Sequence, residues 1–231
     1  MIAVLLVRHA QASFGADDYD RLSELGLEQA RVLGEALRPR LPAVDVVVTG
    51  TQRRHLQTAE ACLAALRLSP PMRALPGLDE VDHAELLVGL DPRYVDRGAL
   101  GNDALARGGD PRRAFQAIFA AAFDRWTSGL HDADYRTSWP DFRRRCAAAL
   151  EEIVRPLPSS ASALVFTSGG PIAALCLDLL GLPDPAAARL VWTLVNGGVT
   201  KLLHGPGGTR LSTLNEHAHF EGARRRLLTY R

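Results

Sequence analysis

The sequence predicts an α/β fold: a three-layer sandwich with a mainly parallel central sheet, helices on both faces and a helical cap insertion. Three observations predict it. Short apolar runs, partly β-branched, recur along the chain and are typical of strands buried on both faces. Amphipathic helical patterns separate these runs, as in β-α-β units. Charged or glycine-rich turns follow the runs, at the edge where open α/β sheets bind ligands.

The first strand, predicted at residues 3–7, is followed by a helix that begins after Ser23 and ends before Pro39. A second strand at 44–48 and a helix that continues over 59–66 form the next unit. The basic tail, 224–231, is expected to fray. The remaining predicted strands are 72–75, 163–167, 199–204 and 210–214, and the remaining helices outside the cap are 142–154 and 172–180.

The chain of 231 residues suits one domain, 1–231, and its 47% of apolar residues is ample for a core. Between about residues 86 and 141 the strand pattern is absent, and a helix is predicted over 111–126. We interpret this segment as the cap insertion, which would cover the site and set its specificity. Trp126, Tyr135 and Trp139 are expected to pack in the core.

Composition argues against several classes of partner. The net charge of +1 gives no broad attraction to nucleic acid or to membranes. No apolar run approaches the ~20 residues that cross a bilayer, and no signal-peptide pattern precedes the first strand. The three cysteines, Cys62, Cys146 and Cys176, lie far apart in apolar segments, which is typical of free thiols in a reducing compartment. Their spacing predicts no metal site. We expect a cytoplasmic protein without metal or cofactor. The sequence does not decide between a monomer and a homodimer.

Arg8 and His9 directly follow the first strand. A guanidinium disfavours protonation of an adjacent imidazole, so the pKa of His9 should be depressed. A neutral imidazole is a nucleophile, and guanidinium donors match the geometry of a phosphate. The pair predicts a histidine that attacks phosphorus. The alternative is a buried histidine beside an unrelated surface arginine.

Arg53 and Arg54 follow the second strand, in the turn and first helical turn. The helix dipole disfavours cations there unless an anion lies between them. Backbone N–H groups at the same helix end also bind phosphate. The two arginines therefore indicate an anion site, with two solvated surface arginines as the alternative.

An acidic cluster at 79–85 follows the third strand. A nearby phosphate disfavours ionisation of a carboxyl group, which suits a general acid that protonates a leaving oxygen. The residues alone do not single out one carboxylate, and solvated loop carboxylates are the alternative. After the fourth strand, residues 168–170 (SGG) form a turn into a helix, where the backbone can approach a ligand closely.

Several segments together resemble the histidine phosphatase superfamily, which has the phosphoglycerate mutase-like fold. They are LVRHAQ at 6–11, DRLSELG at 20–26 with Gln29-Ala30, Arg54 with QTAE at 57–60, LDE at 78–80, VFTSGG at 165–170 and NEHAH at 215–219. The resemblance spans nearly the whole chain.

The resemblance implies a role for each matched residue. His9 would be the nucleophile that becomes phosphorylated, and Arg8 and Arg54 would hold the phosphoryl group. Glu80 would be the general acid and then the base that activates water. The implied phosphate-binding set is Arg8, Arg54, Ser168, Gly169 and Gln11.

Two residues depart from the family pattern. Ser168 stands where the family has a second histidine, and Gly15 stands where an asparagine often contributes to the pocket. A serine donates one hydrogen bond and brings no charge, and a lost electrostatic contact costs on the order of 3 kcal/mol at the transition state. We expect a charged neighbour to compensate in part. His83 is the first candidate, and Arg53 and His55 are alternatives.

Three functions stay open. The first is a metal-independent phosphatase that hydrolyses a small phosphorylated metabolite through a phosphohistidine on His9. The second is an anion-binding pseudo-enzyme with weak or no turnover, which Ser168 favours. The third is a mutase that protects phospho-His9 from water. The intact set Arg8, His9, Arg54 and Glu80 favours the first, because function follows the site.

Overall fold

The computed structural model describes residues 1–13 and 20–230, without the side chain of Arg112. Its centre is a six-stranded sheet made of β1 Ile2–Arg8, β2 Val46–Thr49, β3 Met72–Ala74, β4 Ser162–Thr167, β5 Val199–Gly205 and β6 Gly208–Glu216. The order of the strands is β3-β2-β4-β1-β5-β6. The four strands from β3 to β1 run parallel, β5 pairs antiparallel with β1, and β6 pairs antiparallel with β5. The prediction of an α/β fold with a mainly parallel sheet is confirmed.

The helices connect the parallel strands as the sequence predicts, and Ser23 caps the first of them. Its hydroxyl oxygen accepts a 3.0 Å hydrogen bond from the backbone N–H of Gly26, which satisfies a donor that the helix leaves unpaired. The helices are α1 Glu24–Leu37, α2 Arg53–Leu66, α3 His83–Leu90, α4 Arg97–Ala106, α5 Pro111–Thr127, α6 Trp139–Val154, α7 Gly169–Leu180 and α8 Ala186–Thr193.

Side chains alternate across the central strands and build a core on each face of the sheet. Leu5 and Val7 of β1 face a core that α1 and α2 cover. Val4 and Leu6 face the opposite core, which α6 and α7 cover together with the helices between β3 and α6. Helices therefore lie on both faces of the sheet, as predicted, and they shield both faces of β1 from solvent. The strand end that carries Arg8 is consequently held rigidly.

The segment between β3 and α6 is helical and contributes no strand among the described residues. Its aromatic side chains pack inward: Trp126 is fully buried, Tyr135 is nearly so, and Trp139, the first residue of α6, is buried beside them. The expectation that these three residues belong to the core is confirmed. Within the described ranges, no helix is long and apolar enough to span a membrane.

The predicted fraying of the basic tail is wrong. Gly222–Leu227 forms a 3₁₀ helix, and Phe220 and Leu227 are buried against Val32 of α1. The fully buried amide of Gln29 donates to the backbone oxygen of Leu227 at 2.7 Å. The tail docks because two apolar side chains, Phe220 before the three consecutive arginines and Leu227 after them, are buried.

Candidate active site

The candidate site lies at the carboxyl edge of the sheet, where β1, β2 and β4 end side by side. Arg8 is the last residue of β1, and the backbone N–H of His9 donates to the oxygen of Thr167 on β4 at 2.8 Å. Ser168 follows β4, and Gly50 follows β2. Open α/β sheets bind ligands outside the carboxyl ends of their parallel strands, so a ligand is expected at this edge.

The imidazole of His9 is buried and held in one tautomer. Its Nδ1 lies 2.8 Å from the backbone oxygen of Ala10. A carbonyl oxygen can only accept, so Nδ1 carries the proton and Nε2 keeps its lone pair. Burial, followed by the charges of Arg54 and Arg8, holds the pKa of His9 well below 6.5. The depressed pKa expected from Arg8 is confirmed, although burial is the larger cause. At neutral pH His9 is therefore uncharged, and a neutral imidazole with a lone pair on Nε2 has the chemistry of a nucleophile.

Arg8 is half-buried, and backbone oxygens fix its guanidinium. Its Nη1 donates to the oxygens of Leu194 and Tyr230, the latter at 2.9 Å. The neighbouring residue His9 is held in a similar way, because Asn196 Nδ2 donates to its backbone oxygen at 3.0 Å. The segment after α8 and the C-terminal tail thus set the orientation of the Arg8-His9 pair.

The structure separates the two adjacent arginines of α2. Arg53 is exposed, whereas Arg54 is buried to 5% exposure. Arg54 donates from Nη1 to Asp20 Oδ1 at 2.6 Å and from Nη2 to Gln52 Oε1 at 2.8 Å. The guanidinium is thereby held near His9, whose pKa it lowers. Arg54, and not Arg53, belongs to the site.

The acidic cluster also divides, because three of its carboxylates have structural partners. Asp79 accepts from the backbone N–H and the hydroxyl of Thr51. Asp82 caps α3, and Glu85 accepts from the backbone N–H of Arg136. Glu80 alone among them bonds to the turn after β4.

Two backbone N–H groups hold the Glu80 carboxylate. Its Oε2 accepts from Gly170 at 2.9 Å, and its Oε1 accepts from Val81 at 3.1 Å. Its own backbone N–H donates to Gln52 Oε1 at 3.1 Å, and the same oxygen accepts from Arg54. One glutamine side chain therefore ties the carboxylate segment to the buried arginine.

The other predicted phosphate-binding residues lie at the same edge or beside it. Ser168 is fully buried, and Gly169 begins α7, where a Cβ atom would lie 3.7 Å from Arg8 Nε. The Gln11 amide oxygen accepts from Ser23 Oγ at 2.8 Å. Gly15 lies outside the described residues.

Ser168 does have a histidine partner, and it is His55. Its Oγ lies 2.7 Å from His55 Nε2. The ring of His83 instead packs edge-on against Phe119, with 4.8 Å between centroids. Of the candidates for a neighbour that compensates for Ser168, the geometry favours His55 over His83 and over the exposed Arg53.

A family model named histidine phosphatase superfamily, branch 1, matches residues 4–97 and 107–217. The chain belongs to the histidine phosphatase superfamily. The match includes the segments that carry His9, Arg54, Glu80 and Ser168, and it supports the resemblance drawn from the sequence motifs. No curated protein matches this chain.

Solved structures share the histidine phosphatase fold at low identity. YhfR from Bacillus stearothermophilus is 19% identical, with a TM-score of 0.67 over 96% of this chain and 100% of its own. A phosphoserine phosphatase from Entamoeba histolytica, solved with phosphoserine, is 15% identical, with a TM-score of 0.64 over 96% and 100%. A phosphoglycerate mutase from Bacillus anthracis is 17% identical, with a TM-score of 0.64 over 94% of both chains.

Sequence reasoning missed the residues that position the histidine phosphatase site. Gln52, Asp20 and Asn196 each bond to one of the predicted site residues. Gly170 of the predicted turn also holds Glu80. Asp20 belongs to the quoted DRLSELG segment, but its bond to Arg54 crosses 34 residues. No motif marks Gln52 or Asn196, whose bonds to Glu80 and His9 cross 28 and 187 residues.

Proposed function

We propose that the protein is a phosphatase that hydrolyses a small phosphorylated metabolite through a phosphohistidine on His9. The observation that carries the proposal is the tautomer of His9. Its Nδ1 is tied to Ala10 and its Nε2 is left as the nucleophilic atom, beside the guanidinium groups of Arg8 and Arg54, which lower its pKa. The two cations suit the oxygens of a phosphate ester.

The proposed reaction has two steps and uses only side chains of this chain. His9 Nε2 attacks phosphorus, the bond to the ester oxygen breaks, and Glu80 gives its proton to the departing alcohol. In the second step Glu80 takes a proton from water, whose oxygen attacks the phosphorus of phospho-His9. Inorganic phosphate leaves and His9 is restored. Arg8 and Arg54 stabilise the phosphoryl oxygens throughout.

A panel of phosphorylated metabolites tests the proposal, with release of inorganic phosphate as the readout. After a rapid alkaline quench, labelled substrate should leave acid-labile label on His9, and His9→Ala should lose both label and turnover. Full turnover by His9→Ala would contradict the mechanism. The exposed His131 of the described chain provides the matched control, since His131→Ala should keep label and turnover.

A second candidate is an anion-binding protein with weak turnover, and Ser168 is the observation that favours it. The third, a mutase, would pass the label from His9 to an acceptor metabolite instead of to water. The labelled enzyme distinguishes the three: release as inorganic phosphate indicates a phosphatase, transfer to an acceptor indicates a mutase, and phosphate binding without label indicates a binding protein.

We further propose that the helices of the cap insertion, 86–141, set the substrate specificity. The observation in support is the placement of His83 at the start of α3. Its ring contacts Phe119 of α5, which in turn contacts Trp192 of α8 at 5.8 Å. Burial lowers the pKa of His83, and Glu80 opposes that shift by raising it. The aromatic contacts therefore reach the neighbourhood of the Glu80 carboxylate, where a leaving group would lie.

A further inference from the structure

His55 is a second buried imidazole beside His9, and the reaction proposed above gives it no role. It follows Arg54 on α2, and none of its surface is exposed. Its ring centroid is 5.7 Å from that of His9, and the two ring planes are tilted by 42°. The burial of an ionisable ring disfavours its charged form, so this placement has an electrostatic consequence for the nucleophile.

The turns around His55 leave room for its ring. A Cβ atom on Gly50, at the end of β2, would lie 2.2 Å from His55 Nδ1, so a side chain there would displace the imidazole. On the other side Ser168 is small, and its hydroxyl reaches His55 Nε2 at 2.7 Å. Glycine on one side and serine on the other thus accommodate an imidazole that comes from α2.

Both ring nitrogens of His55 face an oxygen. Nε2 faces the Ser168 hydroxyl, and Nδ1 lies 3.9 Å from Asp79 Oδ1, with no hydrogen-bond partner in the described ranges. Thr51 fixes Asp79 through two hydrogen bonds. In the imidazolium form both N–H groups would point toward these oxygens, and the Ser168 hydroxyl proton would be released for another acceptor.

The charged and titratable groups around His55 come from three elements: Arg54 on α2, His9 after β1, and Asp79 after the 3₁₀ turn that follows β3. Burial, with Arg54 as the second cause, holds the pKa of His55 well below 6.5 in the unliganded protein. A phosphate group beside His9 adds negative charge close to the ring and favours the cation. Ligand binding and protonation of His55 are therefore linked.

We propose that His55 is a positioning residue that takes up a proton when a phosphate group occupies the site and, held by Ser168 and Asp79, stabilises the phosphoryl group on His9. This inference rests on the proposed function. The proton comes from solvent or from the phosphate monoanion, and it returns to solvent when phosphate leaves. His55 forms no covalent bond in this role.

Three variants test the proposal with p-nitrophenyl phosphate as the substrate. His55→Ala should lower kcat/KM about 100-fold, and His55→Gln, which keeps a donor for Ser168 but cannot become a cation, should lose about as much. In the double variant His55→Ala, Ser168→His, an imidazole from position 168 can fill the vacated space and should restore at least about tenfold. If the role of His55 were purely structural, His55→Gln would keep kcat/KM, and an imidazole at position 168 would not restore the activity lost in His55→Ala. His131→Ala is the control.

Inorganic phosphate supplies a readout that does not need turnover. The His55 ring nitrogens should show the neutral form by NMR at pH 6.5 without ligand and the imidazolium form at saturating phosphate. An unchanged neutral signal, or kcat/KM within about twofold of the parent in both single variants, would overturn the inference while the phosphatase proposal stands. Phosphate binding with His55 protonation but no turnover on any ester would overturn the phosphatase proposal alone. Absence of both binding and turnover would overturn both.

Discussion

The backbone N–H of Gly170 donates to Glu80 Oε2 at 2.9 Å across 90 residues of sequence. A Cβ atom at position 170 would lie 2.1 Å from Glu80 Oε1. The carboxylate therefore lies in a space that only glycine leaves open. Because Gly170 is in the first turn of α7, the helix start fixes the height of the proposed acid above the sheet edge.

Gly170→Ala should displace the Glu80 carboxylate and lower kcat by about 100-fold, since a misplaced general acid forfeits most of its contribution. Thermal unfolding and kcat measured on the same preparation separate loss of function from loss of fold. Gly101→Ala is the matched control, because no atom lies within 4 Å of a Cβ at that helical position. Unchanged kcat in Gly170→Ala would remove Glu80 from the acid role.

The strand ends and the residues that follow them were predictable from the sequence. The apolar runs of β1, β2 and β4 are short and stop at Arg8, Gly50 and Ser168, so the sheet rule places these positions at one edge. The tautomer of His9 and the choice of Glu80 from its neighbours were not predictable from residue spacing. They depend on hydrogen bonds to Ala10 and Gly170 that only the folded backbone shows.

The partner of Ser168 illustrates the same limit. Its position three residues after Glu80 in the sequence favours His83, but the hydrogen bond to Ser168 comes from His55, 113 residues away. Parallel strands bring the start of α2 beside the start of α7, and this contact cannot be inferred from the separation of the two helices in the sequence. The His55 ring can pair with Ser168 because Gly50 leaves space for it.

Gln29→Ala should destabilise the protein by about 1–3 kcal/mol, because it leaves buried backbone groups unpaired. The Gln29 side chain donates to Leu227 and Thr229 at 2.7 and 2.8 Å and accepts from Gln11 at 2.8 Å. Urea unfolding measures the loss. Glu28→Gln, at an exposed ion pair with Arg226, should change the free energy of unfolding by less than about 0.5 kcal/mol. Equal effects of the two variants would contradict the docking of the tail.

His219 should make stability fall with decreasing pH. Burial lowers its pKa from 6.5 to about 4. Between those values the unfolded chain binds a proton that the folded chain does not, so the free energy of unfolding decreases as pH falls below 6.5 and is unaffected above it. His219→Gln should reduce this slope by up to about 1.4 kcal/mol per pH unit. Urea unfolding at pH 5 and 7.5 measures the slope, which His131→Ala should leave unchanged.

The three cysteines should be unreactive in the native protein. Burial raises the pKa of Cys62, Cys146 and Cys176 to about 12 in each case. Since the thiolate is the reactive form, a thiol reagent at pH 8 should modify none of them until denaturant is added, and all three afterwards. Rapid modification of the native protein would show that one of these helices opens locally.

The bond from Arg8 to Tyr230 spans 222 residues of sequence, and its consequence concerns the protein during synthesis. The first strand leaves the ribosome early, but the Arg8 guanidinium, next to His9, gains this contact only after the carbonyl of Tyr230 has emerged. A chain that ends before Tyr230 can therefore pair all six strands while Arg8 lacks one of the backbone oxygens that orient it. We expect such a fragment to bind phosphate more weakly than the chain that includes Tyr230.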